Sequence, residues 1–469
     1  MLQKSFALIV IVVILTTMAA CGGPAPTPER IVETVVVTQE VVKEVEVTKE
    51  VEVVKEVQVE VTPQAEEEPI VLRFANWATA EEATRNTFVK AIDEFKQTHP
   101  NVEIELIALP FDQVRPQLIT MSAGGNPPDI IQLNGAWPHE LGAMGVLRDL
   151  YEFADDAYLA DNYQGGLDAG VYDGKLYAVP IGLTPHGLWW NKKLFEQAGL
   201  DPNEPPKTMD EMNEVMATLK ANLPEDVYPF GFDTSKSDYA LTGFWPWMLT
   251  EGARPLYAGN YDFTDPATEK SFEWMQMIVD KGYTPVGLAI KEERELLAKG
   301  KIVMKLDGPY VSGIMRSLNS DFAGDALYET FGVTSVPVGD NGEPVTLADL
   351  HQIGISTQCE HPELAWEFIK FFNTNPVALQ EYTMTSGLVP ALKSEIEKYK
   401  DTEQLTNPIS QAFINEVIPS MIGGPYDATY GAASQFVIQG MQEVTIAGAP
   451  PDEALQRMTD NLKVLYGAE

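Results

Sequence analysis

Two periodicities alternate along this chain, and their order predicts its architecture. Ile70 to Phe74 is a short apolar run ending in Ala75-Asn76-Trp77, and Val102, Ile104 and Leu106 alternate with polar neighbours, so both stretches read as strands. Between them Phe88, Ile92 and Phe95 recur at helical spacing, and the pattern stops before Pro100. Thr79-Ala80-Glu81-Glu82 has the spacing of a capping box, which predicts that Thr79 starts this helix. The order strand, helix, strand predicts a β-α-β unit with the Trp77 loop at the carboxyl end of its first strand. In open α/β sheets ligands gather at that end. A helix over 118–123, a glycine and proline break over 124–129 and a third strand from Ile130 put a second loop, 132–137, at the same end.

The middle of the chain is built from the same signals. Asp173-Gly174 reads as a turn, and Leu176, Tyr177, Ala178 and Val179 as a strand that Pro180 and Gly182 interrupt. Leu188-Trp189-Trp190 is another strand, on which at most one of the two indoles can face a cleft. Asn191 caps a helix over 192–198 that Gly199 ends. Residues 206–211, PKTMDE, hold a second capping box, with Met212, Val215, Met216 and Leu219 following on one face. Asp265-Pro266 opens a helix that carries Phe272, Met275, Ile278 and Val279 and closes at Gly282. From about Lys393 the chain reads as helical, with Leu455, Met458, Leu462 and Leu465 as its last apolar stripe.

The amino end follows other rules. Lys4 and the apolar run 6–15 form an export signal whose hydrophobic part is too short to span a bilayer. Met18-Ala19-Ala20-Cys21 resembles a bacterial lipoprotein box, which implies acylation of Cys21; an ordinary signal cleaved near Ala20 is the alternative. The signal thus covers 1–21. Over 22–69 the chain is a low-complexity tether in which, from Val35 to Val61, valines hold odd positions such as Val45, Val47 and Val51 against Glu44, Glu46 and Glu50. That is a strand period with nothing to bury, so the segment is expected to be extended or disordered, reaching up to about 160 Å. Self-association of such tethers through the valine face is a second possibility.

Charge and cysteine usage exclude several classes. A formal charge of −37 over 469 residues leaves no basic face for nucleic acid. With two cysteines there is no disulfide framework, and Cys359 reads as structural filler. No nucleophile elbow or phosphate-binding loop appears, and His139-Glu140-Leu141-Gly142-Ala143 lacks the second histidine of a zinc protease.

Several strings, taken whole, resemble family 1 extracellular solute-binding proteins, the maltose-type receptors of ABC importers. They are DGKLYAVPIGLTPHGLWWNKKLFEQAG over 173–199, SAGGNPPDII over 122–131, LAKGKIVMKLDGPY over 297–310, HPELAWEFIKFF over 361–372 and SGLVP over 386–390. The family's usual tryptophans stand as Met209 and Tyr310 here, and Asp349-Leu350-His351-Gln352 replaces a frequent glycine pair. The resemblance covers about residues 70–469. It implies an α/β, bilobed type II periplasmic-binding-protein fold with two discontinuous lobes joined by a three-segment hinge. One lobe would take 70–180 plus about 350–392, and the other 181–349 plus about 393–469. It further implies a monomeric, lipid-anchored receptor on the outer face of the cytoplasmic membrane or in the periplasm. Such a receptor captures a sugar or oligosaccharide between the lobes and delivers it to the transmembrane subunits of an ABC permease, with no cofactor and no catalysis. A lipid-anchored glycan hydrolase and a receptor for another solute, such as a glycerol-phosphate compound, are the rivals; a surface scaffold is a third class.

A sugar offers C–H faces to aromatic rings and hydroxyl edges to amides and carboxylates. Trp274 and Trp366 lie in amphipathic helices and read as core, whereas Trp77, Trp137, Trp245 and Trp247 lie at strand ends or in segments broken by glycine and proline. Polar partners beside the rings are Glu81 and Glu82, Asn134, Asp307 with the Gly308 backbone beside Tyr310, Thr184 and His186 in the crossover, and Tyr426 after Gly423-Gly424-Pro425. The resemblance implies that the Trp77 loop, Trp137, Trp247, Gly308 and Tyr310 face the cleft. Glu82 has a second role open to it as partner of the Thr79 cap, and His186 as a packed hinge residue. No cluster of Arg or Lys accompanies these positions, which argues against a phosphate ligand.

Overall fold

The computed structural model describes residues 69–468, so the export signal, Cys21 and the alternating Val/Glu run lie outside the described residues. Apolar strands separated by helices build a five-stranded sheet in the order Val102–Ala108, Ile70–Asn76, Ile130–Leu133, Leu350–Ile355, Val179–Leu183. The first three run parallel, with Ile70 opposite Val102 and Asn76 opposite Ala108. Leu350–Ile355 runs antiparallel to both its neighbours. The helix Glu82–Thr98 turns the expected stripe inward: Phe88, Ile92 and Phe95 are buried with Phe74, Phe368 and Phe372.

Two local expectations fail here for physical reasons. Thr79 does not cap the helix; its N–H and hydroxyl both donate to the buried Asn76 Oδ1, at 2.9 and 2.8 Å, and the helix begins at Glu82 without a side-chain cap. Pro180 and Gly182 do not interrupt a strand but lie inside Val179–Leu183. That strand is an edge of the sheet, where a residue without an N–H leaves no ladder bond unmade.

A four-stranded sheet in the order Phe331–Thr334, Gly187–Asn191, Ile302–Asp307, Tyr228–Gly231 forms the centre of the second lobe. The Thr208 capping box forms: Glu211 N–H donates to Thr208 Oγ1 and Thr208 N–H to Glu211 Oε2, each at 3.2 Å. Asn191 accepts from Leu194 N–H at 3.1 Å, as the pattern predicts. Helices Tyr430–Thr445 and Pro451–Tyr466 bring Val437, Met441, Leu455, Met458 and Leu462 into one core with Phe244, Phe272 and Met304. Trp189 and Trp190 are both buried, and their indole N–H groups donate to the carbonyls of Asp307 and Pro202.

The chain passes between the sheets at Thr184-Pro185-His186 and at Ala348-Asp349. A third passage follows Val389, which bridges to Leu183 before Ile396, Ile409 and Phe413 join Trp189 and Phe331 in the core. The fold is α/β and bilobed, with discontinuous lobes.

Candidate functional site

The carboxyl ends of the first sheet carry an aromatic wall. Trp77 follows the first strand, and its backbone N–H donates to Gln132 Oε1 at 3.2 Å. Phe111 and Trp137 open the helices Phe111–Ala123 and Trp137–Ala143, and His351 comes from the returning strand. The ring of Trp77 meets Phe111 at 5.3 Å, Trp137 at 5.9 Å and His351 at 5.1 Å between centroids, all edge to face. This is the favoured geometry for aromatic quadrupoles. Trp77 is buried, while Phe111 and Trp137 are only partly covered.

Facing it, the hinge and second lobe supply a polar wall centred on the buried Asp349. Its Oδ1 accepts from Asn134 Nδ2 at 2.8 Å, its Oδ2 accepts from the Tyr239 hydroxyl at 3.0 Å, and His186 Nε2 lies 3.6 Å away. The backbone carbonyl of Asp349 accepts from the Thr184 hydroxyl at 2.7 Å. Tyr239 and Tyr310 share a hydrogen bond of 2.6 Å between their hydroxyls. Arg294 then forks onto Asp307 at 2.9 and 2.7 Å and donates to Tyr310 at 3.2 Å. The two walls touch where Phe111 meets Tyr239, with ring centroids 6.2 Å apart.

Electrostatics follow from this wiring. Burial alone would raise the pKa of Asp307, but the Arg294 guanidinium, with Lys305 and His186 beyond it, holds it down at about 2. Burial likewise opposes ionisation of Asp349, yet hydrogen bonding to His186 and Asn134 keeps it below the ordinary carboxylate range. Both are therefore anions at neutral pH, one held by a guanidinium fork and the other by its hydrogen-bonding neighbours. Burial drives His351 down to about 4, so it is a neutral ring in the aromatic wall. Burial pushes the tyrosine hydroxyls of 239 and 310 upward, which keeps them as protonated donors.

The predicted residues divide. Trp77, Asn134, Trp137, Thr184, His186, Asp307, Gly308 and Tyr310 converge on this region. Gly308 is explained by contact: a Cβ there would lie 2.4 Å from the Tyr310 ring. His186 is both packed and polar, buried to 1 % and within 3.5 Å of both tyrosine hydroxyls. Glu81 stands exposed at the head of its helix; partial desolvation raises its pKa, and Lys291 and Arg294 of the second lobe counter it. The side chain of Glu82 lies outside the described residues. Tyr426 reaches the first lobe, its ring 5.6 Å from His139 and its hydroxyl near Gly135, next to the Asn134 that holds Asp349; burial pushes its hydroxyl upward and the Asp349 charge adds to that.

Trp245 and Trp247 do not belong to the site. Both sit in the helix Ala240–Thr250, fully packed in the second core, because Pro246 is accommodated inside the helix and does not break the segment. Trp245 donates to the Tyr430 hydroxyl at 2.8 Å, and Trp247 stacks on Trp274 at 4.7 Å. The absence of basic residues near the site is also corrected, since Arg294 and Lys291 lie on the helix Ile290–Ala298 beside it. Sequence reasoning missed Phe111, Tyr239, Arg294, Asp349 and His351. One signal existed: Asp349 and His351 occupy the return segment in which the chain departs from the family's glycine pair. Among the described residues no group of His, Cys, Asp and Glu is arranged to hold a metal ion, and no helix is long and apolar enough to cross a membrane.

Residues 78–378 match the family described as bacterial extracellular solute-binding protein. A putative binding protein of Brucella abortus is 22% identical over 371 residues, covering 77% of this chain and 85% of that protein. The maltotriose-binding protein of Pyrococcus abyssi is 23% identical over 359 residues, 72% of this chain and 70% of its own length. Among solved structures, the GacH receptor of Streptomyces glaucescens, studied unliganded and with acarbose, superposes with a TM-score of 0.72 at 20% identity over 86% of this chain and all of that one. The sugar-binding protein MalE of Xanthomonas citri gives 0.72 at 19% identity over 85% of this chain and 97% of its own.

Proposed function

Because the chain belongs to the bacterial extracellular solute-binding protein family, we propose that it is the sugar or oligosaccharide receptor of an ABC importer. The ligand is held between the aromatic wall of the first lobe and the polar wall of the second. The observation that carries this reading is the pairing itself. Phe111 and Trp137, backed by the buried Trp77, offer a ring surface with Asn134 beside it, and across from it Tyr239, Tyr310, Asp349 and His186 offer oriented donors and acceptors. A hydroxylated ring has faces for the first and edges for the second. Sugar-binding relatives and the acarbose-binding GacH receptor support the ligand class.

The mechanism is capture by closure. Each wall alone makes half of the contacts, so the ligand stabilises the state in which both reach it and shifts the lobes toward it. A receptor that must also release its cargo to the permease's transmembrane subunits suits a micromolar affinity, about −8 kcal/mol. No bond is made or broken. The glycan-hydrolase reading is disfavoured because Asp307, held at about 2, has no proton to donate to a leaving group. The lobes are assigned as 70–183 plus 350–390 and 187–347 plus the segment from 393, the receptor as a monomer, and Cys21 as the lipid-bearing residue that holds it outside the cytoplasmic membrane.

Titration calorimetry of the full chain against maltose, maltotriose, diacetylchitobiose and tagatose tests the function. Saturable binding of one class, with a matching rise in melting temperature, is expected. Binding of none of them, together with release of product from a glycan, would overturn it.

A further inference from the structure

The helix Phe111–Ala123 of the first lobe presents two residues, one turn apart, to the second lobe. Phe111 meets Tyr239 in the site. Arg115 leads elsewhere. It is locked by a fork onto Glu140, with Nε to Oε2 at 2.6 Å and Nη2 to Oε1 at 2.8 Å, and both of these residues belong to the first lobe. The locked guanidinium is seated against Gly431, in the first turn of the second-lobe helix Tyr430–Thr445. A Cβ on Gly431 would lie 2.2 Å from Arg115 Nη2 and 3.4 Å from Glu140 Oε1. The Glu140 carboxylate raises the pKa of Arg115, and Asp238 of the second lobe adds to it. Asp238 is itself held by Gln435 Nε2, one turn after Gly431.

Gly431 is not among the positive-φ residues, so its backbone accepts a side chain, and glycine is a poorer helix former than alanine. What it provides is room for a side chain of the opposite lobe. We propose that Arg115, braced by Glu140 and received by the Gly431 notch beside Asp238, is a closure clasp: a positioning device that stabilises the closed arrangement without touching the ligand and so sets the receptor's affinity. This rests on the reading of the chain as a receptor that closes on its ligand.

The test is Gly431→Ala, Arg115→Ala and the double variant in the full chain, with Cys21→Ser as background and nitroxides carried by Asp93→Cys and Glu273→Cys. These positions are exposed helical sites, one in each lobe, and Cys359 is buried. Gly431→Ala is expected to lengthen the interlobe distance seen by pulsed electron paramagnetic resonance and to weaken maltotriose binding at least tenfold, with a melting temperature unchanged or higher. A merely structural role would move melting and affinity together. Arg115→Ala is expected to weaken binding several-fold, and the double variant no further, since the clashing group is gone. Unchanged distances and affinity in Gly431→Ala, or losses that simply add, would overturn the clasp. If none of the four sugars binds and a glycan is cleaved instead, the functional reading fails while the distance measurement still decides the clasp.

Discussion

The two walls of the proposed site are made on opposite principles. The first-lobe wall is rings packed edge to face, with Trp77, Phe111, Trp137 and a neutral His351 held by contact area. The second-lobe and hinge wall is a wired network in which Asp349, Tyr239, Tyr310, Arg294 and Asp307 each satisfy a neighbour. Dispersion and hydrophobic contact are spread over many atoms, so the ring wall tolerates small displacements. A buried polar network is cooperative, and removing one member strands the others. On the proposed reading, the ring wall would supply affinity and the polar wall orientation and discrimination between ligands.

The largest expected effect breaks the polar wall at its fork. Asp307→Asn leaves Arg294 charged and unpaired in a buried place and is expected to cost about 3 to 5 kcal/mol, read as a lowered midpoint in urea unfolding. A loss under 1 kcal/mol would mean that the fork is not the wall's anchor.

Two tryptophans sharpen the comparison next. Trp247→Ala removes a ring from the second core and is expected to cost about 3 to 5 kcal/mol of stability. Trp137→Ala, partly exposed, is expected to cost less stability but to weaken maltotriose binding by an order of magnitude. Equal effects on melting would erase the distinction between core and wall.

The ring wall also carries a pH signature. His351 titrates at about 4 in the fold against an ordinary 6.5, so the unfolded chain binds a proton that the folded one refuses between those values. Its contribution is present above pH 6.5 and is lost as pH falls toward 4, at most about 3 kcal/mol in total. Glu293, buried beside Lys305, is raised to about 7 and works the other way, losing its contribution as pH rises through 7. Comparing the chain with His351→Gln between pH 4 and 7 isolates the histidine, and parallel stability curves would refute a neutral ring there.

Smallest is Tyr239→Phe, which removes one hydroxyl from the Asp349 and Tyr310 contacts. It is expected to cost about 1 kcal/mol of stability, with maltotriose affinity falling further, as calorimetry would measure.

How much of this was legible in the residues varied with range. The stripes Phe88-Ile92-Phe95 and Phe272-Met275-Ile278, the Thr208 capping box and the Asn191 cap involve neighbours within a turn or two, and each formed as its pattern predicts. Thr79 failed as a cap because its N–H and hydroxyl are tied back to the buried Asn76 Oδ1 and the helix starts only at Glu82. The two tryptophan pairs carried the same local signal of broken segments, yet Trp77 and Trp137 meet edge to face at the end of the first sheet while Trp245 and Trp247 went to the second core. Nothing within a few residues of either pair distinguishes them.

Periodicity, caps and the strings shared with a family determined the elements, the α/β class and the two-lobed plan, because each depends on residues close in the chain or on a pattern read whole. Only the tertiary structure decided which side chains face each other: Asp349 meets Asn134 across 215 positions and Tyr239 across 110, while Arg115 meets a glycine more than three hundred residues away. Partners so distant in sequence leave no local trace, since what selects them is the folding together of surfaces that no single segment contains.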